Sequence, residues 1–106
     1  MNYANWVLKF DINIVDLGSN SDILIKMDSG WPNVSDIALA DSPQRLLADG
    51  QLHTYAIPVV DFIAAENRFS PGSQFDVNSV TNPLVLEGLG GENLHVKLRN
   101  IRFVAT

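Results

Sequence analysis

The chain contains no cysteine, which excludes disulfides, thiolate-held metals and cysteine nucleophiles. That absence leaves the compartment open, since it fits cytosol, periplasm and exterior alike. Basic residues are scarce: seven Lys and Arg stand against twelve Asp and Glu, giving a formal net charge of −5 and a pI near 4.6. No basic cluster overrides that sign, so neither nucleic acid nor a membrane surface is an expected partner. No apolar run approaches the ~20 residues of a membrane helix. The first residues, MNYANWVLKF, lack a basic n-region and a continuous apolar h-region and do not read as a signal peptide. If the domain is exported, the signal lies outside this sequence. Internal repeats and long helical periodicity are missing as well.

What is present is an ordinary globular balance. The 106 residues are 46% hydrophobic and 18% charged, with a mean hydropathy of +0.08. Such a chain forms one domain and buries about two thirds of its unfolded surface around a single core.

Two-residue alternation carries the structural reading. Trp6, Leu8, Phe10, Ile12 and Ile14 alternate with Val7, Lys9, Asp11, Asn13 and Val15, a strand with one face on a core. After the polar turn at Asp16 to Ser21 the pattern resumes with Ile23, Ile25 and Met27 inward and Lys26 and Asp28 outward, which suggests an antiparallel pair with the first strand. The next stretch, Ser29-Gly30-Trp31-Pro32, holds a large ring on a stiff turn, because proline fixes its own φ and restricts its predecessor. Ile37 and Leu39 continue as a short extended piece. Ser42-Pro43 through Gly50 has the cap, first-turn proline and terminal glycine of one helical turn. Gln51 to Val60 reads as a strand ended by Pro58, and Phe62 to Ala65 as a further helical turn.

Glu66 to Asp76 is a polar surface excursion tacked down by Phe69 and Phe75, and Pro83 to Glu87 forms another strand. The Gly88 to Gly91 cluster has the wrong spacing for a dinucleotide fingerprint. In the last strand, Asn93 to Ala105, the inward set changes phase from Leu94, Val96 and Leu98 to Ile101 and Phe103, which requires a β-bulge at Arg99-Asn100. Short strands parted by turn residues define an all-β protein, a β-sandwich or jelly roll. A complete jelly roll has about eight strands, so N-terminal strands are expected to be lacking. The open sheet edge is then covered by a longer polypeptide or by a second copy, a homodimer.

The order FDINIVDLGSNSDILIKMDSGWP, HTYAIPVVDFIA, NSVTNPLVLEG and ENLHVKLRNIRFV resembles the galactose-binding-like, ExoP-type domain at the C-terminus of bacterial glycoside hydrolase family three enzymes. The features that carry the likeness are the Asp28-x-Gly30-Trp31-Pro32 turn, Ile57-Pro58 followed by Phe62, Val80-Thr81-Asn82-Pro83 and the closing strand. The family frequently has cysteine beside the turn and before the Phe62 position. Here Ser29, Asn33 and Asp61 stand there, so that cross-link is absent. The family's domains also begin further upstream, and the Glu66 to Asp76 excursion is longer than usual. The resemblance implies an accessory module, not an enzyme in itself, whose partner is the catalytic domain of a secreted parent, extracellular or periplasmic. Its role would be to bind β-glucan-type polysaccharide or to brace the catalytic part. No sugar-contacting residues carry over from the family.

Candidate site residues therefore come from physical chemistry. Trp31 is either a ring that stacks on a pyranose or a plug at one end of the sandwich. Trp6 is in phase with the core set. Lys9, Asp11 and Asn13 on the first strand and His95, Lys97 and Arg99 on the last form two outward polar rows. If these strands are neighbours the rows merge into a platform for sugar hydroxyls; otherwise they are a solvated face of weak ion pairs. His53 and His95 lack zinc-ligand spacing. The oxygen-rich turn at Asp16 to Asp22 could hold calcium, though no cofactor is favoured. Among twelve carboxylates no motif selects a glycosidase pair, and Asn33-Val34-Ser35 reads as a chance sequon.

Overall fold

The computed structural model describes residues 5–76 and 78–105. Among the described residues six strands, a 3₁₀ turn (Leu39–Asp41) and one short α-helix make up the order: β1 (Trp6–Asp16), β2 (Asp22–Asp28), β3 (Val34–Ala38), the 3₁₀ turn, β4 (Leu52–Pro58), α1 (Val59–Ala64), β5 (Asn82–Leu89) and β6 (His95–Ala105). They build two three-stranded antiparallel sheets, ordered β4-β1-β6 and β3-β2-β5. Alternate residues of both sheets enter one buried cluster: Leu8, Phe10, Ile12, Ile14, Tyr55 and Ile57 from the first, Ile23, Ile25 and Met27 from the second. The architecture is all-β and sandwich-like. Among the described residues no helix is long and apolar enough to cross a membrane. The expectation about the N-terminal leader falls partly on residues 1–4, outside the described range.

β1 and β2 do not pair, contrary to the expected hairpin. They are the central strands of different sheets, and the polar loop between them carries the chain across the core. Asp16 Oδ1 accepts the Gly18 N–H at 2.8 Å, which curls the backbone out of the first layer before a hairpin can form. The chain crosses between the sheets again at β3–β4, β4–β5 and β5–β6, and the β1–β2 and β5–β6 crossovers lie side by side. Ser19 N–H donates to Glu92 O, Asn20 Nδ2 donates to Leu17 O and Glu92 O, and Asn20 Oδ1 accepts the Gly91 N–H. Asn20 is thus buried with both ends of its amide satisfied.

Lys26 points outward as its phase implied, yet it is only 8% exposed, because the excursion after α1 folds over the outer face of the central strand β2. Its amine pairs with Glu87 and lies 4.9 Å from the Phe69 ring centroid. Three further expectations are corrected. Phe75 anchors that excursion, whereas Phe69 remains 52% exposed. The helical turn expected from Ser42 does not form there. A 3₁₀ turn lies earlier, at Leu39–Asp41, and Ser42 closes its C-terminal end by donating N–H and Oγ–H to Leu39 O. Leu39 therefore enters the turn and does not extend the strand before it.

The bulge in β6 lies one residue beyond the expected place. Lys9 faces Arg102 and Asp11 faces Arg99, so Phe10 alone spans Asn100 and Ile101. Asn100 takes φ 55°, a conformation asparagine tolerates better than most residues. Ile101, expected inward, is 49% exposed, since among the described residues the bulge sits on the edge strand of its sheet.

The two lateral sides of the sandwich differ. α1 touches both β3 and β4 and closes that side, with Val59 and Phe62 fully buried. On the other side Leu84 and Leu86 of β5 and Val96, Leu98 and Phe103 of β6 are only partly buried against the core.

Candidate functional site

The outer face of the β4-β1-β6 sheet gathers polar side chains from three strands. β6 is the direct neighbour of β1, so the two rows read from the sequence do merge: Asn13 faces Lys97, Asp11 faces Arg99, Lys9 faces Arg102, and His95 lies beside Asp16 at the end. On the opposite side of β1, Leu52, Thr54 and Ala56 of β4 face Asn13, Asp11 and Lys9. Strand alternation places these side chains away from the core, while Leu8, Phe10 and Ile12 pin the same strand from beneath.

Asp11 is the fixed centre of this face. Its Oδ1 accepts the Thr54 hydroxyl at 2.8 Å, its Oδ2 accepts Asn100 Nδ2 at 2.7 Å, and Arg99 Nε stands 4.0 Å away. The Asn100 amide first, then the Thr54 hydroxyl, hold the carboxyl below its ordinary value near 3.8; desolvation opposes them, and Arg102 and Arg99 add to the lowering. A lowered folded-state pKa gives stability that is complete above the unfolded value and disappears as the pH falls through the folded one. Asn100→Ala is therefore expected to move the Asp11 titration, followed by carboxyl-carbon NMR, upward toward its ordinary range and to shift acid unfolding to higher pH. An unmoved titration would show that Asn100 does not hold this carboxylate.

Beside Asp11 lies a shallow open pocket of about 280 Å³ lined by Asn13, Leu52, Lys97, Leu98 and Arg99. Asn13 Oδ1 is shielded from water and has no hydrogen-bond partner. Its cross-strand neighbours are Leu52 and Lys97. A buried acceptor without a partner costs about 1–3 kcal/mol, and native folds carry few of them.

Sequence reasoning named Lys9, Asp11, Asn13, His95, Lys97 and Arg99 for this face. It did not name Thr54, Asn100 or Arg102. Thr54 was legible from the alternation of β4, but its meeting with Asp11 depends on register. The absence of a basic cluster also needs correction, since Lys9, Lys97, Arg99 and Arg102 come together when β1 and β6 pair.

Trp31 stands apart from these residues, on the β2–β3 connection of the other sheet. It is 64% exposed, so the ring does not plug the core. Trp6, in contrast, packs against the core as its phase implied. The loop under Trp31 is well braced. Gly30 O accepts the Asn33 N–H, Ser29 N–H donates to Asn33 O, and Pro32 O accepts Asn67 Nδ2 from the excursion.

The carboxylates of the Asp16 to Asp22 turn are directed at their own backbone. Asp16 Oδ1 accepts from Gly18 N, and Asp22 Oδ1 accepts from Ile23 N and Ala40 N. Among the described residues no group of three or more His, Asp or Glu is placed to hold a metal ion. His53 Nε2 pairs with Asp49 at 2.8 Å on the connector before β4, away from His95 on β6.

Comparison of the chain with protein-family models, with curated proteins and with solved structures finds no match in any of the three.

Proposed function

We propose that this domain is a non-catalytic, galactose-binding-like jelly-roll module that binds polysaccharide on the outer face of its β4-β1-β6 sheet, beside the catalytic domain of a secreted glycoside hydrolase. The observation that carries the reading is the merging of two polar rows into one platform with a shallow pocket in it. Such a face offers charged donors and a fixed carboxylate to sugar hydroxyls, and hydrogen bonds to charged groups are the stronger kind. The motif resemblance described above supports the same function and adds β-glucan as one polymer class to try. Trp31 offers an exposed ring elsewhere, on the β2–β3 connection of the other sheet, where a hydrogen-bonded loop limits the entropy lost on stacking a sugar.

Affinity electrophoresis through gels carrying neutral polymers (laminarin, mixed-linkage glucan, agar) and an acidic one (polygalacturonate) tests the proposal. Retardation in at least one gel, weakened by Arg99→Ala, is the expected result. Free migration in all four would replace binding by a bracing role.

A second reading, a structural domain that self-associates, is favoured by the half-buried Leu84, Leu86, Val96, Leu98 and Phe103 along the open side of the sandwich. Size-exclusion chromatography with light scattering separates the two readings: a dimer with no polysaccharide affinity supports association, and a monomer that binds sugar removes it.

A further inference from the structure

Four of the chain's seven basic residues stand on the platform face: Lys9, Lys97, Arg99 and Arg102. A single carboxylate, Asp11, lies among them, and both of its oxygens are already engaged by Thr54 and Asn100. Elsewhere the cations are used internally. Lys26 pairs with Glu87, Arg68 with Asp36, and Arg45 donates to Ala40 O. Among the described residues Lys9 and Lys97 make no salt bridge, and Arg99 reaches Asp11 only at 4.0 Å with its side chain 66% exposed. On the face itself Arg102 donates to Asn100 O but has no carboxylate of its own among the described residues. A chain of net charge −5 thus concentrates positive charge with few carboxylate partners on one sheet face, where mutual repulsion gives nothing to the fold. Such a patch draws in an anionic ligand.

The shape of the patch narrows the ligand. Lys97 and Arg99 project from one straight strand about 7 Å apart, two residue rises, and Arg102 continues the row past the bulge. The described face carries no Trp, Tyr or Phe, so it offers neither the ring contact on which neutral sugars stack nor the platform that single-stranded bases require. Eleven carboxylates outside the patch would repel a duplex that carries one charge per ~1.7 Å. We propose that the face binds an acidic polysaccharide, a polyuronate, with Lys97, Arg99 and Arg102 meeting its carboxylates along β6 while Lys9 flanks them. This inference rests on the carbohydrate-binding reading and names the polymer class within it.

The test is titration of the whole chain with polygalacturonate, laminarin and duplex DNA at low and at moderate salt. Polygalacturonate is expected to bind, with affinity that falls as salt rises. The double variant K97Q/R99Q is expected to bind about tenfold more weakly, equivalent to about 1.4 kcal/mol, at an unchanged melting temperature because both side chains are exposed. R45Q, which removes a charge on the connector before β4, is expected to bind as the parent does. Laminarin binding without polygalacturonate binding overturns the acidic class and leaves the carbohydrate reading intact; silence with both polymers overturns the acidic class as well. Tighter binding of duplex DNA than of polygalacturonate, or equal losses in K97Q/R99Q and R45Q, also overturns it.

Discussion

Phe10→Ala is expected to lower the unfolding free energy by about 3–5 kcal/mol, the usual cost of truncating a buried phenylalanine. Phe10 lies at the middle of β1, fully buried, and faces Tyr55 of β4 in register. Their rings stack with centroids 5.6 Å apart and planes 8° from parallel. Tyr55 in turn donates its hydroxyl to Arg45 O at 2.7 Å and accepts the Leu47 N–H at 3.0 Å. The pair therefore ties the central strand of one sheet to the connector that leads into β4. Removing the ring opens a cavity under the platform and withdraws the surface against which Tyr55 is oriented. Since domains of this size have about 5–15 kcal/mol in all, the thermal midpoint should fall by some 15–30 °C at roughly 4–8 °C per kcal/mol. Urea or thermal melts followed by far-ultraviolet circular dichroism check this. A loss under about 1 kcal/mol would mean that the core is not organised around this pair. Polymer binding should disappear together with the fold in this variant, whereas K97Q/R99Q separates the two.

Gly18→Ala has the second large expected effect. Gly18 has φ 64°, and a Cβ built on it would lie 2.1 Å from Glu92 O and 2.7 Å from Asn93 O. Two costs combine there. The left-handed backbone is disfavoured for alanine by about 1–2 kcal/mol, and the clash is with backbone of the adjacent crossover, so relief needs the two intersheet connections to separate, at about 1–3 kcal/mol more. A total near 3 kcal/mol is expected in denaturant melts. Gly91→Ala meets the same barrier from the other crossover, its Cβ falling 2.3 Å from the Ser19 carbonyl carbon. Gly50→Ala serves as the comparison: φ is 75° but nothing lies within 4 Å, so only the conformational cost should remain. Equal effects at Gly18 and Gly50 would show that the packed crossovers contribute little.

These two sites also mark how far the sequence can be read. The period-two pattern named the core face of the first two strands correctly: Leu8, Phe10, Ile12, Ile14, Ile23, Ile25 and Met27 are all buried. For the strand before Pro58 it separated two faces without choosing the core one, and in the last strand it placed Ile101 inward where the structure exposes it. It located a bulge near Asn100, because a change of phase with both apolar sets kept has no other backbone solution. It also separated Lys9, Asp11 and Asn13 from the core side, and Lys97 and Arg99 likewise. These are properties of one strand and its own alternation, which depend on no partner.

Partners were legible only in part. The alternation of β1 and β2 is the same whether they pair in one sheet or face each other across a core, and only the three-dimensional arrangement shows the second. The same holds for the basic face: Lys9 and Arg102 are 93 positions apart in the chain and meet through the β1–β6 register. That the outward Lys26 is covered was not legible, because the segment over β2 is irregular and carries no period. Alternation within a strand thus determined which side of each segment is apolar, and with it the all-β class. Which strands lie beside one another, and hence which charges and polar atoms share a face, was decided by tertiary packing, because those contacts join residues far apart in the chain and leave no local pattern.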